Sequence, residues 1–542
     1  MDKIWLKHYP PGVPAEINPD TYTSIVDLFQ RSCHEHADAA AFCHLGVTLT
    51  YKEVNRYSEQ IAAYLQQVLG LKKGDRFAIM MPNTLQYPLM IFAALRAGLI
   101  VVNVNPLYTP DELVHQINDA DARALMVIDL FANTVEKALP RMPYLKHVIV
   151  TQLEDLFPRI KAMLVRFVMK YIYKTIKPWQ IPHTIHFASL LAESKRLTFS
   201  PIPIANRDIA FLQYTGGTTG VAKGAVLTHR NIIANILQAE AWFKPLWRDQ
   251  KAIIITALPL YHIFSLMANC LIFFKLGGLN VLITNPKDMK STLKQMRRFK
   301  FTVITGVNTL FNAFLKQPLF AKLDFSHLKL ALGGGMAVQE AVAEKWRAVT
   351  GVPLHEGYGL TEASPCVAVT PITDHDFTGS IGMPLPSTDI EILADGELAV
   401  KGPQVMQGYW RNPTETAHVF NQDGWLLTGD MASIDEKGYL RILERKKDMI
   451  LVSGFNVYPS EIEDVITKLP GVKEVAVIGV ANEKSGEAPK AFIVKEDSAL
   501  TETQIIAYCH EHLTAYKVPK TITFCESLPK TAVGKIKRQA LK

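Results

Sequence analysis

The run Tyr214-Thr-Gly-Gly-Thr-Thr-Gly-Val-Ala-Lys-Gly224 has the residue types that hold a highly charged anion. Gly216, Gly217 and Gly220 carry no Cβ, so their backbone N–H groups can approach an anion closely. Thr215, Thr218 and Thr219 add hydroxyl donors, and Lys223 adds a compact positive charge. Together these are the needs of a triphosphate. The loop is not the G-x-x-x-x-G-K-[ST] pattern, because Lys223 is followed by Gly224. A flexible Gly/Thr linker is the bland alternative. It leaves unexplained both the apolar, strand-like stretch 208–214 leading in and the single lysine.

Further segments with chemistry-bearing residues follow in order. Tyr261-His262 sits in Pro-Leu-Tyr-His-Ile-Phe, and Gly333-Gly334-Gly335 ends an apolar run. Glu356-Gly-Tyr-Gly-Leu-Thr-Glu362, Gly408-Tyr-Trp410 and Gly424-Trp-Leu-Leu-Thr-Gly-Asp430 come next. Arg445-Lys-Lys-Asp448 with Ser453-Gly-Phe-Asn-Val-Tyr-Pro459, then Pro529-Lys-Thr-Ala-Val-Gly-Lys535, complete the series. In this order they resemble the signatures of the adenylate-forming superfamily of acyl-CoA synthetases, luciferases and peptide-synthetase adenylation domains. The resemblance runs from about residue 23 to residue 541. Thr305-Gly-Val-Asn-Thr-Leu-Phe311 and Lys401-Gly-Pro-Gln-Val-Met406 look most like bacterial long-chain fatty acid–CoA ligases.

The resemblance implies a reaction and a role for each residue. A carboxylate is a poor electrophile, so it is first activated by attack on the α-phosphate of ATP, where catalysis is mainly positioning and charge stabilisation. The family pattern gives Thr215, Gly216, Gly217, Thr218, Thr219, Gly220 and Lys223 the phosphates, and Glu362 the Mg²⁺, with Thr361 on phosphate beside it. Tyr358 stacks on the adenine, Gly335 is assigned to cofactor binding, and Asp430 takes the ribose hydroxyls with Arg445 alongside. Tyr358 as a core tyrosine and Asp430 as a turn or cap residue are the plain alternatives. His262 lies near the substrate carboxylate in the family, though a satisfied core histidine fits the sequence nearly as well. Gly359 leaves room for the carboxylate, or is an ordinary turn glycine. Lys535 becomes the cation that pairs with the carboxylate and α-phosphate. Coenzyme A then accepts the acyl group after the small domain rotates about Lys447 and brings Gly454 to the pantetheine tunnel. A surface lysine and a turn glycine are the alternatives for those two.

These residues need elements to position them. Helix-like 89–97 and strand-like 99–104, 208–214, 253–256, 301–305 and 328–332 alternate along the chain, which implies parallel sheets covered by helices. From 389 to 401 the period changes to two around Asp395-Gly396, a hairpin signal tighter than most of the family shows. Beyond 448 comes a smaller α+β part. The expected fold is α/β. Residues 1–444 form a large domain of mainly parallel, helix-covered sheets plus a small β region, 445–447 the hinge, and 448–542 a mobile α+β domain.

Composition narrows the classes. A chain of 542 residues exceeds one hydrophobic core, and 48% hydrophobic with 20% charged residues is the composition of a folded globular protein. Six scattered cysteines without C-x-x-C spacing point to reduced thiols and a cytoplasmic setting. The amino-terminal residues lack an apolar export signal. The uncharged stretch 252–274 is interrupted by Pro259, His262 and Asn269, so a buried strand, loop and core helix fit better than a membrane span.

Of the net charge of +7, Arg159, Lys161, Arg166, Lys170, Lys174 and Lys177 hold six, which excludes a general nucleic-acid binder. As a helix over 158–178, Arg159, Arg166, Lys170, Lys174 and Lys177 fall in one wedge opposite Leu164, Val168, Tyr171 and Ile172. One reading packs the apolar side on the domain and solvates the basic face. The other lays that basic face on an anionic membrane, at the inner face of the bilayer. Fatty acid, ATP and coenzyme A are the other partners implied, and a homodimer is among the oligomeric states left open. The rival functions are a fatty acyl-AMP ligase acting on a carrier-protein thiol, a medium-chain or aryl acid–CoA ligase, a luciferase-type oxygenase, and a catalytically dead lipid-binding or scaffolding protein.

Overall fold

The computed structural model describes residues 3–172, 176–215, 222–247, 251–482, 485–531 and 536–542. Among them, four sheets form around the predicted alternation. A seven-stranded sheet runs Ile185–His186, His147–Thr151, Ala122–Ile128, Arg76–Met80, Ile100–Asn103, Ile209–Thr215 and Lys223–Thr228. Only its last pair is antiparallel. Its central strands are apolar on both faces because helices cover both sides, the pattern that marks parallel sheets.

A nine-stranded sheet carries Leu330–Gly334 and Leu354–Gly359 side by side in parallel, flanked by Val303–Gly306 and, antiparallel, Cys366–Val369. One apolar core fills the space between the two large sheets, with Phe274 in ring contact with Phe29, Phe92 and Phe42. The stretch after Pro259 is helical from Ile263 to Lys275 with a π-helical middle, Leu266–Leu271. No helix among the described residues is long and apolar enough to cross a membrane.

The small β region is a four-stranded antiparallel sheet, Asp389–Ile392, Glu397–Lys401, Leu426–Ile434 and Leu440–Arg445. Its Asp395-Gly396 hairpin does more than finish an edge. Buried Glu397 accepts from the Gly429 N–H at 2.8 Å and from Lys446 Nζ at 2.7 Å, so the tight turn braces the approach to Asp430. From Ile450 onward a separate five-stranded sheet with its own core carries helices Pro459–Thr467 and Glu502–His512.

The basic segment departs from expectation. The α-helix covers Arg159–Phe167 and continues as a π-helix over Val168–Ile172, while Lys177 lies outside any helix. Lys174 falls outside the described residues. A π turn adds a residue per turn, which breaks the 100° register that placed the cations in one wedge. Nor is the apolar side buried, although Arg159, Lys170 and Lys177 stay exposed as expected. Arg166 turns inward to the buried carboxylates of Asp129 and Glu154, and Lys161 reaches the Leu45 carbonyl. Ile160, Met163, Leu164, Phe167, Tyr171 and Ile172 instead stand 56–73% exposed. Breaking this contact would leave buried carboxylates uncompensated, so Arg166 ties one edge of the helix to the body.

Candidate active site

One half of the candidate site is built where strand ends of the nine-stranded sheet meet the small antiparallel sheet. Gly335 follows the Leu330–Gly334 strand at φ 74°, a left-handed turn that glycine adopts without strain. Tyr358, near the end of the neighbouring strand, donates its hydroxyl to Asp430 Oδ2 at 2.5 Å. Asp430 and Arg445 are direct partners across an antiparallel pair, and Arg445 Nε reaches Asp430 Oδ1 at 2.7 Å. Asp430 is only 2% exposed, and these two partners offset the cost of burying its polar oxygens. Burial, then the Asp430 charge, pushes the Tyr358 phenol well above its ordinary value, which keeps it a donor. The Tyr358 ring is thereby held in one plane beside the buried Asp430 carboxylate, an aromatic face next to a hydrogen-bond acceptor.

On the phosphate side, Thr215 and Lys223 face each other as the last cross-strand pair before the loop. Gly216, Gly217, Thr218, Thr219 and Gly220 lie outside the described residues. Residues 407–410 run antiparallel beside the 223–228 strand, with Val226 N on Gly408 O at 2.9 Å and Trp410 N on Gly224 O at 2.7 Å. That pairing brings four side chains together. Lys223 ion-pairs with Glu415 and lies 5.5 Å from the Tyr409 ring centre, while the Tyr409 hydroxyl donates to Glu362 Oε1 at 2.7 Å. Thr361 opens the short turn Thr361–Ala363 that presents Glu362.

This donor set fits Mg²⁺ arriving with phosphates, since that ion takes one or two carboxylates and leaves its other positions to water and phosphate oxygen. Among the described residues, no group of three or more His, Cys, Asp or Glu could hold a metal unaided.

His262 caps the helical stretch that follows it, its Nδ1 accepting the Phe264 N–H at 3.3 Å. With Nδ1 an acceptor, the proton of the neutral ring sits on Nε2. Gly359 has a demanding neighbour. A Cβ there would lie 2.1 Å from the Pro365 carbonyl oxygen, so the glycine is required by the chain's own backbone whatever ligand lies beyond it.

The small-domain residues are held differently. Ser453 and Gly454, at φ 51° and 86°, form the two-residue turn between Ile450–Val452 and Phe455–Val457. Two positive φ values in succession are the type I′ hairpin turn, and a Cβ at Gly454 would meet nothing within 4 Å. Lys447 is exposed between the two sheets, and Lys535 lies outside the described residues. Arg538 joins the domains. It pairs with Glu463 at 2.7 Å and Glu444 at 3.4 Å, and Glu444 also takes the Ser460 N–H at 2.9 Å.

Sequence reasoning missed Tyr409, Glu415 and Glu444 as site neighbours. Gly408-Tyr-Trp410 flagged the first without assigning it a role. Glu415 carried one signal, its place three residues after the helix-capping Asn412.

A mainly parallel α/β body joined to a smaller α+β domain thus carries a buried carboxylate, Asp430, held by Tyr358 and Arg445. The chain belongs to the AMP-binding enzyme family, whose model matches residues 29–410, and the AMP-binding enzyme C-terminal domain matches 461–535. It is 53% identical to the long-chain-fatty-acid–CoA ligase of Salmonella typhimurium, over 100% of this chain and 98% of that one. It is 38% identical to the protein of that name in Bacillus subtilis, over 99% and 97%. Among solved structures, ATP-bound MatB from Rhodopseudomonas palustris superposes with TM-score 0.81 at 28% identity, covering 95% of this chain and 98% of that one. The anthranilate CoA ligase AuaEII in complex with anthranoyl-AMP does so with 0.82 at 26%, covering 97% and 98%.

Proposed function

We propose that this protein ligates a long-chain fatty acid to coenzyme A through an acyl-adenylate. In the first step a carboxylate oxygen attacks the α-phosphorus of ATP, forming the mixed anhydride and releasing pyrophosphate. In the second the thiol sulfur attacks the acyl carbonyl, the thioester forms and AMP leaves. The observation that carries the reading is Asp430, a buried carboxylate held by Tyr358 and Arg445 beside the Glu362–Tyr409 pair.

Asp430 takes the ribose hydroxyls, Tyr358 and Gly335 the adenine, and Thr215, Lys223 and the loop between them the phosphates. Lys223 leaves Glu415 for phosphate when ATP arrives, exchanging one anion for a more highly charged one. Glu362, with Thr361 beside it, holds Mg²⁺, which supplies charge neutralisation at the phosphate oxygens. His262 borders the carboxylate, and Lys535 meets it together with the α-phosphate. Rotation about Lys447 then exchanges Lys535 for the Gly454 turn. The long-chain substrate rests on the names of the full-length relatives.

ATP–pyrophosphate exchange across fatty acids of graded length, with and without coenzyme A, tests this. Exchange should need no coenzyme A, and acyl-CoA should appear once it is added. Each methylene is worth about 0.8 kcal/mol, so kcat/KM should climb several-fold per carbon up to the long-chain range. A flat profile or an optimum at short or aromatic acids overturns the substrate class. Adenylate that never passes to coenzyme A points to a carrier-protein acceptor.

The exposed apolar face of helix Arg159–Phe167 favours a second property, docking on a membrane. Six large apolar side chains, with Arg159 and Lys170 also exposed, suit the headgroup–acyl boundary of an anionic bilayer. The apolar face leads, so Phe167→Ser with Ile172→Ser should release the protein from anionic vesicles while sparing turnover of detergent-dispersed fatty acid. Co-sedimentation unchanged by that pair of substitutions overturns the docking. Arg166 is a poor probe, because reversing it breaks the helix's own tether to Asp129.

A further inference from the structure

Between the two large sheets runs a line of buried polar side chains that the reaction described above does not use. The Tyr87 hydroxyl donates to Asn103 Oδ1 at 2.7 Å, and Asn103 Nδ2 donates to Gln213 Oε1 at 2.9 Å. Gln213 Nε2 then donates to the Tyr261 carbonyl at 2.8 Å. Asn103 and Gln213 are direct partners on adjacent parallel strands, which aligns their amides. The line has one possible direction. A carbonyl can only accept, so the Gln213 amide must turn its NH₂ to Tyr261, and each group behind it is fixed in turn.

All three side chains are buried, Gln213 at 4% exposure. Polar pairs in such a place are not needed for stability, because apolar groups of the same shape serve nearly as well. What the line does is geometric. Two residues past Gln213 its strand ends at Thr215, the entry to the phosphate loop. One residue past Tyr261 stands His262. From the opposite side Asn83 grips the same turn, its Nδ2 on the Thr256 and Leu258 carbonyls at 3.0 and 2.8 Å and its Oδ1 on the Leu260 N–H at 2.8 Å.

We infer that Gln213 is a positioning residue for adenylation, fixing the turn that carries His262 against the strand that carries the phosphate loop. The inference rests on the reading that His262 borders the acyl carboxylate. The carboxylate oxygen and the α-phosphorus are held by different sheets, and Gln213 sets the distance between them. A misplacement of about 1 Å in such a pair costs on the order of 10²-fold in rate.

The test is ATP–pyrophosphate exchange by Gln213→Leu, Gln213→Glu, His262→Ala and the Gln213→Leu/His262→Ala double variant of the full chain. Gln213→Leu should lose on the order of 10- to 10²-fold in kcat while the KM for ATP moves less than about threefold. In Gln213→Glu the ionised carboxylate has no proton for the Tyr261 carbonyl, whereas the neutral acid has one, and burial raises its pKa toward the assay range. Its rate relative to wild type should therefore rise as pH falls from about 8 to about 6. The double variant should be no slower than His262→Ala alone, because the two act through one element.

A kcat for Gln213→Leu within twofold of wild type beside a slow His262→Ala overturns the positioning role alone. Losses that multiply in the double variant overturn it as well. A His262→Ala enzyme at the wild-type rate overturns the carboxylate reading on which it rests. Should Gln213→Leu fail to fold, the pH response of Gln213→Glu decides, and a flat ratio overturns the role.

Discussion

The nucleotide face of the large domain and the 450–457 hairpin of the small one carry motifs of the same family, yet they are held in opposite ways. On the nucleotide face Asp430 is gripped by Tyr358 and Arg445, Glu362 by Tyr409, and Lys223 by Glu415. At the hairpin, Gly454 faces open space, and Leu451 and Phe455 beside it are 50% and 58% exposed. The difference teaches which residues serve both half-reactions. On the proposed reading AMP stays bound while the acyl group moves, and groups locked in advance then need no reorganisation at the moment of reaction. On the same reading the hairpin and the lysine loop take turns at the site, which the exposed hairpin permits.

The sharpest way to break this comparison is Lys535→Ala. Adenylation should fall by on the order of 10²- to 10³-fold, as when one charge-stabilising donor is removed, while thioester formation from supplied acyl-adenylate stays within a few-fold. Single-turnover assays of the two steps read this directly. Equal loss in both would mean that the lysine does not leave between steps.

Lys447→Pro should invert that pattern. Proline fixes φ and so blocks one rotation, stalling thioester formation by about tenfold or more while adenylation proceeds. Normal overall turnover would put the pivot elsewhere.

The two glycines then sharpen the contrast between locked and open. Gly359→Ala forces a Cβ to 2.1 Å from the Pro365 oxygen. Overpacking of that kind costs about 1–3 kcal/mol, seen as a lower denaturation midpoint, and it should slow both half-reactions. Gly454→Ala meets no neighbour, so its only cost is the left-handed backbone, about 1–2 kcal/mol, and it should slow thioester formation alone. A Gly454→Ala enzyme slowed in adenylation would contradict the division.

The smallest effect is that of Tyr358→Phe. It keeps the ring and removes one hydrogen bond, leaving Arg445 on Asp430. The KM for ATP should rise several-fold with little change in kcat, consistent with a net loss of about 1 kcal/mol. An unchanged KM would show that the hydroxyl does not hold the nucleotide hook in place.

Sequence alone determined the fold class, the order of its elements and the family. Apolar runs with strand and helix periods survive almost unchanged, as in Ile253–Thr256, placed to the residue, and Ile209–Thr215, displaced by one. The family motifs are contiguous, so they are legible without coordinates. Tertiary structure decided how those motifs are braced, because bracing residues lie far away in sequence. Tyr358 meets Asp430 across 72 positions, Lys223 meets Glu415 across 192, and Asn83 meets Leu260 across 177. It also decided the facing of the 159–172 helix. A helical wheel sorts side chains by angle and identifies two faces, but it cannot say which one turns inward. The buried carboxylates of Asp129 and Glu154 turn Arg166 inward, and they come from earlier segments of the chain that only the folded body brings beneath the helix.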